Sequence, residues 1–336
     1  MLQRTLGAKG PATSALGLGC MGMSGMYGPS DRAESLATLQ AAVDAGIVLL
    51  DTGDFYGMGH NEMLIGDFLA DPAFRKGHKR DDVQISVKFG ALRDPAGGWL
   101  GFDGSPAAVK NSLAYTLQRL RVDHIDVYRP ARLDANVPIE DTVGAIADMV
   151  KAGYVRHIGL SEVGSETLRR AAAVHPIVDL QIEYSLISRG IERDILPTCR
   201  DLGIAITAYG VLSRGLISGH WAKGQGQGAD FRAHSPRFQG DNLDHNLTLV
   251  EALRRVAEAK GVSVAQIAIA WVLAQGNDLI PLIGARRRDR LAEALGALDV
   301  TLTAADLAAI EQAVPKDSAA GDRYPAHGMA TLDSER

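Results

Sequence analysis

The sequence predicts an α/β fold, a (β/α)8 TIM barrel preceded by an N-terminal β-hairpin. Three observations carry this. Short apolar, strand-like runs alternate with helix-patterned segments along the chain. Seven such runs are legible, and an eighth fits before the first helix. No linker interrupts the series, so residues 1–336 are read as a single barrel domain. A doubly wound sheet is the competing topology, but it normally has fewer strands at this length and often needs a second domain.

The elements follow in order. Residues 2–6 and 13–18 flank a turn at Gly7-Ala8-Lys9-Gly10, which reads as a hairpin. Residues 15–19 supply the first barrel strand. Residues 31–45 have helical spacing and stop at Gly46. Residues 47–51 form a short apolar run, as a buried parallel strand should. A helix over 61–69 and a strand over 83–88 follow. Ser105-Pro106 opens a helix to Leu120, with serine as cap and proline in the first turn. Strands at 125–128, 155–160, 177–182 and 204–209 alternate with helices at 139–152, 165–174 and 191–202. Helices at about 243–260 and 263–275 precede a strand at 279–283. Helices at 289–298 and 303–313 complete the pattern. The irregular stretch 211–242, with KGQGQGAD inside it, reads as a mobile loop. The tail from Pro315 to Arg336 either lies across the pocket or hangs free.

Composition sets the function classes. The chain has 336 residues, 35 Lys+Arg and 40 Asp+Glu, for a net charge of −5. Hydrophobic residues make up 46%, too many for a disordered chain. A slightly acidic chain without a basic stripe argues against a nucleic-acid binder. Two cysteines, Cys20 and Cys199, have no metal-ligand spacing and read as reduced thiols. No apolar run reaches the ~20 residues of a membrane span, and the N-terminus has no signal-peptide pattern. A cytoplasmic protein is expected. The nine histidines show no paired-ligand spacing, so no metal is expected. There is no GxSxG elbow. Gly17-Leu18-Gly19-Cys20-Met21-Gly22 matches GxGxxG, but no helix follows it directly, as a dinucleotide fingerprint requires.

In barrels, chemistry sits at the carboxyl ends of the strands. There the sequence offers Asp51, Tyr56 in DTGDFYG, and Lys88 in SVKFG. A buried lysine needs a partner, and Asp51 is one. A nearby ammonium is expected to lower the Tyr56 pKa and make the phenol a proton donor near neutral pH. On spacing alone, a structural ion pair beside a core tyrosine is an equal alternative. After the last strand, Gly284-Ala285-Arg286 leads into a helix carrying Arg290, a backbone and side-chain setting for phosphate.

The chain resembles the aldo-keto reductase superfamily over nearly its whole length. GIVLLDTGDFYG, SVKFG, GYVRHIGLSE, QIEYSLISR, AYGVLSRGLISG and PLIGARRRDRLAEALGAL carry the resemblance, in the family's order. It implies an NADPH-binding barrel without a Rossmann domain, and reversible hydride transfer between nicotinamide and a carbonyl or alcohol. By the resemblance, Tyr56 is the general acid/base, tuned by Lys88 and Asp51. Ser161 and Gln181 hold the carboxamide and Tyr209 stacks on the nicotinamide. Gly19, Cys20 and Met21 skirt its ribose. Gly210, Leu212, Arg214 and Gly215 cover the pyrophosphate. Gly284, Ala285, Arg286, Arg290 and Glu293 form the 2′-phosphate and adenine site. Two arginines there favour NADPH, since NADH would leave them unpaired.

The sequence departs from the family twice. By the resemblance, Ala131, with Pro130 as the neighbouring possibility, stands where a histidine usually polarises the substrate carbonyl, and Ala294 stands for an adenine-site asparagine. His124 lies too far down its strand to substitute. The vacated volume admits a bulkier substrate, and YRPARLD segments are similar to those of pyridoxal reductases and bulky-ketone reductases. Tyr27, Phe55 and Trp99 are candidate pocket walls, or plain packing. Arg129 and Arg132 read as outward salt bridges in preference to substrate contacts. The alternative function is a cofactor-sensing binding subunit resembling potassium-channel β subunits. The sequence leaves substrate identity, direction and oligomeric state open.

Overall fold

The computed structural model describes residues 1–221, 224–225 and 230–336. The N-terminal hairpin pairs β1 (Gln3–Thr5) with β2 (Ala12–Ser14). Then come β3 (Gly17–Gly19), α1 (Arg32–Asp44), β4 (Leu49–Gly53), α2 (His60–Ala70), α3 (Pro72–Gly77) and β5 (Gln84–Phe89). A second hairpin, β6 (Ala91–Arg93) and β7 (Trp99–Phe102), precedes α4 (Pro106–Leu120), β8 (Ile125–Pro130), α5 (Ile139–Lys151) and β9 (Val155–Ser161). The chain continues through α6 (Ser165–Val174), β10 (Ile177–Glu183), α7 (Ile195–Leu202) and β11 (Ala205–Tyr209). It ends with α8 (Gly240–Lys260), α9 (Val264–Ala274), β12 (Leu279–Ile283), α10 (Arg288–Leu295), α11 (Ala304–Ala313) and α12 (Ala326–Met329).

Eight parallel strands close the barrel in chain order, β3-β4-β5-β8-β9-β10-β11-β12 and back to β3. Helix starts are fixed by local chemistry. The Asp31 carboxylate accepts the Glu34 N–H (2.7 Å) ahead of α1, and Ser105 Oγ accepts the Ala108 N–H (3.2 Å) ahead of α4. Ser263 with Gln266, and Thr303 with Asp306, form reciprocal capping boxes on α9 and α11.

The hairpin closes the bottom of the barrel. Leu6 is fully buried against Leu49, Val127, Val178, Ala205, Ile280 and Leu282, an apolar layer contributed by five strands. Arg4 ties the hairpin down by donating to the carbonyls of Leu273, Gly276 and Leu279. Because side chains alternate along a strand, the residues two positions further on share the same face one layer up. This places Asp51 above Leu49, Arg129 above Val127 and Thr207 above Ala205.

Several expectations change in detail. The helix expected over 191–202 splits into a 3-10 turn at Gly190–Glu192 and α7. The helix expected over 289–298 ends at Leu295, with a 3-10 turn after it. Helix α3, the β6–β7 hairpin and α12 had no counterpart in the sequence reading. In the stretch 211–242, the chain kinks through Ser213–Ser218, where Arg214 and Gly215 leave the helical region, and forms 3-10 turns at Phe231–His234 and Pro236–Phe238. Most of KGQGQGAD, expected to be mobile, lies outside the described residues. The tail does not hang free, because Arg323, Tyr324 and Ser334 pack onto the carboxyl end of the barrel. Among the described residues no single helix is long and apolar enough to cross a membrane.

Candidate active site

Above the apolar layer the lumen becomes ionic. Asp51 accepts from Lys88 Nζ (2.6 Å), Gln181 Nε2 (2.7 Å), Ser86 Oγ (3.1 Å) and Arg129 Nη1 (3.3 Å). The pairing register sets Asp51 beside Ser86 and Gly53 beside Lys88, so β4 and β5 present these groups together. Arg129 Nη2 also donates to both oxygens of Asp179 (2.8 and 2.7 Å), whose second oxygen accepts from Thr207 Oγ1 (2.6 Å). Arg129 and Asp179 are fully buried. Gly159 makes room for them. A Cβ there would meet Asp179 Oδ1 at 2.3 Å and Arg129 Nε at 2.8 Å. The reading of Arg129 as an outward salt bridge is therefore corrected. A strand buried on both faces does not reveal from its sequence which face is the lumen.

Tyr56 sits on the turn after β4, its N–H bonded to the Gly53 carbonyl (3.1 Å) and its carbonyl to the Asn61 N–H (3.2 Å). Asn61 braces this turn, accepting from Thr52 Oγ1 (2.7 Å) and donating to the Cys20 carbonyl (2.8 Å). Lys88 Nζ lies 5.0 Å from the centre of the Tyr56 ring. Asp51, Lys88 and Tyr56 thus converge at the carboxyl end of the barrel, as expected. Their protonation is not as expected. Burial pushes the Tyr56 phenol well above its ordinary value and Asp51 adds to it, while burial lowers Lys88 against the pull of Asp51. Tyr56 is a phenol that keeps its proton until a stronger base forms beside it.

The residues expected to hold a cofactor form a track from the lumen outward. Ser161 lies beside Gln181 in register. Among the described residues its buried Oγ has no hydrogen-bond partner. Gln181 spends its amide N–H on Asp51. The Tyr209 hydroxyl donates to Glu162 (2.6 Å) and lies 2.9 Å from the Tyr324 hydroxyl. After β11, Gly210 has φ +66°, and Ser213, Arg214 and Gly215 have φ of 46°, 57° and 97°. This left-handed run is one that glycine adopts freely and other residues adopt at a cost. Ser213 Oγ and Arg214 Nη1 are buried without partners among the described residues. Gly19 pairs with Asp51 in register, Cys20 donates its N–H to the Asp51 carbonyl (2.9 Å), and Met21 opens a 3-10 turn. Leu212 accepts the Gly215 N–H at 2.8 Å. Three orphaned buried polar atoms on this track fit a polar ligand that lies along it.

The outer end of the track is a cavity of about 670 Å³ lined by Pro29–Asp31, Glu34 and Arg286–Asp289. Just before this arginine run, Gly284 is exposed and Ala285 buried. The two arginines are not idle. Arg286 donates to the carbonyls of Tyr27, Gly28 and Pro29 (3.0, 3.2 and 2.9 Å). Arg290 meets Glu293 (3.1 Å) and His220 (2.6 Å). The expectation that both would be unpaired without a phosphate is corrected, because neighbouring carbonyls and a carboxylate satisfy them.

At the expected substrate side, Phe55 packs edge-on against Tyr56 (4.7 Å) and Trp99 (5.7 Å). Trp99 is half exposed under Arg93, whose guanidinium lies 3.3 Å from its ring centre. Burial raises the Tyr27 phenol to about 12. Ala131 is buried at the top of β8, and Arg132 turns inward beside it, not outward. His124 pairs with Asp123 (2.6 Å) at the opposite end of β8.

Sequence reasoning missed the second ionic cluster. Glu162 and Glu183, at the ends of β9 and β10, are buried. Arg323 from the tail donates to both (3.0 to 3.3 Å) and to Glu335. Arg214 donates to Glu183 (3.3 Å), and Ser334 to Glu162 (2.7 Å). These cations hold Glu162 and Glu183 below the usual carboxylate range despite burial. The available signal was a glutamate directly after Ser161 and another at the next strand end. Among the described residues no group of three or more His, Cys, Asp or Glu side chains is arranged to hold a metal ion.

Comparisons with known proteins agree with this geometry. The model of the aldo/keto reductase family matches residues 15–315. A probable aldo-keto reductase 1 from Glycine max is 40% identical over 321 residues, covering 95% of this chain and 90% of that protein. The glycerol dehydrogenase AKR11B4 from Gluconobacter oxydans superposes with a TM-score of 0.82 at 28% identity, over 93% of this chain and 94% of that one. A thermostable aldo-keto reductase, Tm1743, solved with the inhibitor epalrestat, gives 0.73 at 26% identity, over 93% and 100%. With the closed eight-stranded barrel and these matches together, the chain belongs to the aldo/keto reductase family.

Proposed function

We propose that this chain is an NADPH-dependent carbonyl reductase and alcohol dehydrogenase, with Tyr56 as its general acid and base. The observation that carries the reading is the convergence of Asp51, Lys88 and Tyr56 at the rim, together with a buried Ser161 hydroxyl that has no partner among the described residues. When bound, a reduced nicotinamide supplies the hydride. Ser161 and Gln181 would hold its carboxamide, and Tyr209 would lie against its ring. The Gly210–Gly215 segment would cover the pyrophosphate, with Ser213 Oγ and Arg214 Nη1 as donors that have no partner among the described residues. Cys20 and its neighbours Gly19 and Met21 would line the ribose. Arg286, Arg290 and Glu293 would take the adenosine end, Arg286 giving up its backbone carbonyls for a stronger charged partner.

At the carbonyl, Tyr56 donates its proton to the oxygen as that oxygen becomes an alkoxide. A raised pKa suits this step, since the phenol stays protonated at neutral pH and an alkoxide is a far stronger base than a phenolate. Lys88, fixed by Asp51, stabilises the phenolate left behind. In the alcohol-oxidising direction the same groups run in reverse. Phe55, Trp99 and Tyr27 are the nearest aromatic walls. The two cysteines are free and buried, which fits a reducing cytoplasm.

The test is NADPH oxidation by the purified protein against pyridoxal, aromatic aldehydes, α-dicarbonyls and bulky cyclic ketones. Turnover on one class supports the enzyme. Tight NADPH binding with no turnover on any of them favours the cofactor-sensing alternative, for which Ala131 in place of histidine is the one supporting observation.

A further inference from the structure

Two ionic clusters, one in the lumen and one at the mouth of the barrel, each balance in charge without Arg132. Lys88, Arg129, Arg214, Arg237 and Arg323 are linked through ion pairs to Asp51, Asp179, Glu162, Glu183 and Glu335. Five cations face five carboxylates. Arg132 stands outside this balance. Its Nη1 donates to the Ala131 carbonyl (2.6 Å) and its Nη2 reaches the Tyr324 hydroxyl (3.4 Å). Among the described residues no carboxylate pairs with it. Glu162 acts on it through space but is already committed to Arg323, Tyr209 and Ser334.

Arg132 is also close to the candidate chemistry. Its charge pulls down on both Tyr56 and Lys88. It follows Ala131, and the Ala131 N–H is bonded to the Phe89 carbonyl (2.8 Å), one residue beyond Lys88. It therefore lies at the head of β8, directly after the buried Ala131. A partly desolvated guanidinium without a counter-ion is costly to maintain, and its planar fork matches carboxylate and phosphate oxygens.

We infer that Arg132 is the anchor for an anionic group on the carbonyl substrate, a carboxylate or a phosphate ester, bound beside Tyr56. This rests on the proposed carbonyl reduction for its catalytic part. The anion contributes the orientation that a polarising histidine would otherwise supply. It also brings the missing negative charge to the mouth.

The experiment compares matched substrates in the wild type, R132Q and R132K, all with NADPH. One pair is 4-carboxybenzaldehyde against benzaldehyde, and the other is glyceraldehyde 3-phosphate against glyceraldehyde. The wild type should favour the charged member of at least one pair by about 10- to 100-fold in kcat/KM, mainly through KM. The pair that shows the preference identifies carboxylate or phosphate. R132Q should bring that ratio close to one, and R132K should keep part of it. Calorimetric binding of 4-carboxybenzyl alcohol and of glycerol 3-phosphate to the protein without NADPH gives a readout that needs no turnover. At least one should bind to the wild type and weaken in R132Q. Equal turnover of charged and neutral partners by the wild type overturns the assignment, as does a parallel fall for both in R132Q. A loss confined to NADPH affinity in R132Q also overturns it. If no aldehyde is reduced but calorimetry still shows an Arg132-dependent anion, the anion site stands and the carbonyl reductase reading falls.

Discussion

The Arg129–Asp179 pair allows the strongest structural prediction. Substituting Asp179→Leu removes two hydrogen bonds from Arg129 Nη2, at 2.8 and 2.7 Å, and the acceptor of Thr207 Oγ1 at 2.6 Å. Arg129 keeps only Asp51, at 3.3 Å, and its Nε already lacks a partner among the described residues. Both members of the pair are fully buried, so no water replaces the carboxylate. Breaking a buried pair by removing one partner costs about 3–5 kcal/mol. An unfolding entropy of ~2.1 cal/mol/K per residue over 336 residues is about 0.7 kcal/mol/K. The expected fall in the thermal midpoint is thus about 4–7 °C, read by calorimetry at neutral pH. The double variant R129M/D179L, which removes both charges, should recover most of the loss, because the desolvation of the unpaired ion disappears with it. A midpoint for D179L within about 1 °C of wild type would refute the reasoning. A double variant as unstable as D179L would refute it too.

Two further predictions concern pH and the cofactor. Asp54 is half-buried, with one carboxyl oxygen unpartnered among the described residues, and desolvation followed by the charge of Glu62 raises it to about 7. The folded state then holds a proton that the unfolded chain releases near pH ~4, so this group's contribution falls as pH rises from about 4 to 7, by up to about 4 kcal/mol. D54N should gain stability relative to wild type across that window, and a difference in thermal midpoint that does not change with pH would contradict it. For the adenosine end, R286A should weaken NADPH binding at least tenfold more than NADH binding in a fluorescence titration. Equal weakening would remove Arg286 from the 2′-phosphate site.

The barrel was legible because its strands end in readable chemistry. Asp51 and Lys88 each close an apolar run, and parallel strands of one barrel bring such ends to one rim. The same runs hid the lumen. Val127, Arg129 and Ala131 alternate with Asp126, Tyr128 and Pro130, and nothing in that alternation marks the odd positions as interior. Arginine is so seldom buried that an outward reading was the natural one. Glu162 and Glu183 were passed over for the same reason, since their partner Arg323 lies 161 and 140 residues away. The β6–β7 hairpin was readable in hindsight from Pro95-Ala96-Gly97-Gly98 between two short runs. The tail carries no period. Its place on the barrel is set by Arg323 and Tyr324, which act through a charge and a hydroxyl that propensity does not register.

The most direct test of the central claim is single-turnover reduction of an accepted aldehyde by Y56F loaded with NADPH. Removing one hydroxyl leaves the ring packing on Phe55 and the Asp51–Lys88 pair in place. The rate should fall by about 10²-fold or more, with NADPH affinity unchanged within twofold. Reduction by Y56F at the wild-type rate would contradict the assignment of Tyr56 as the proton donor.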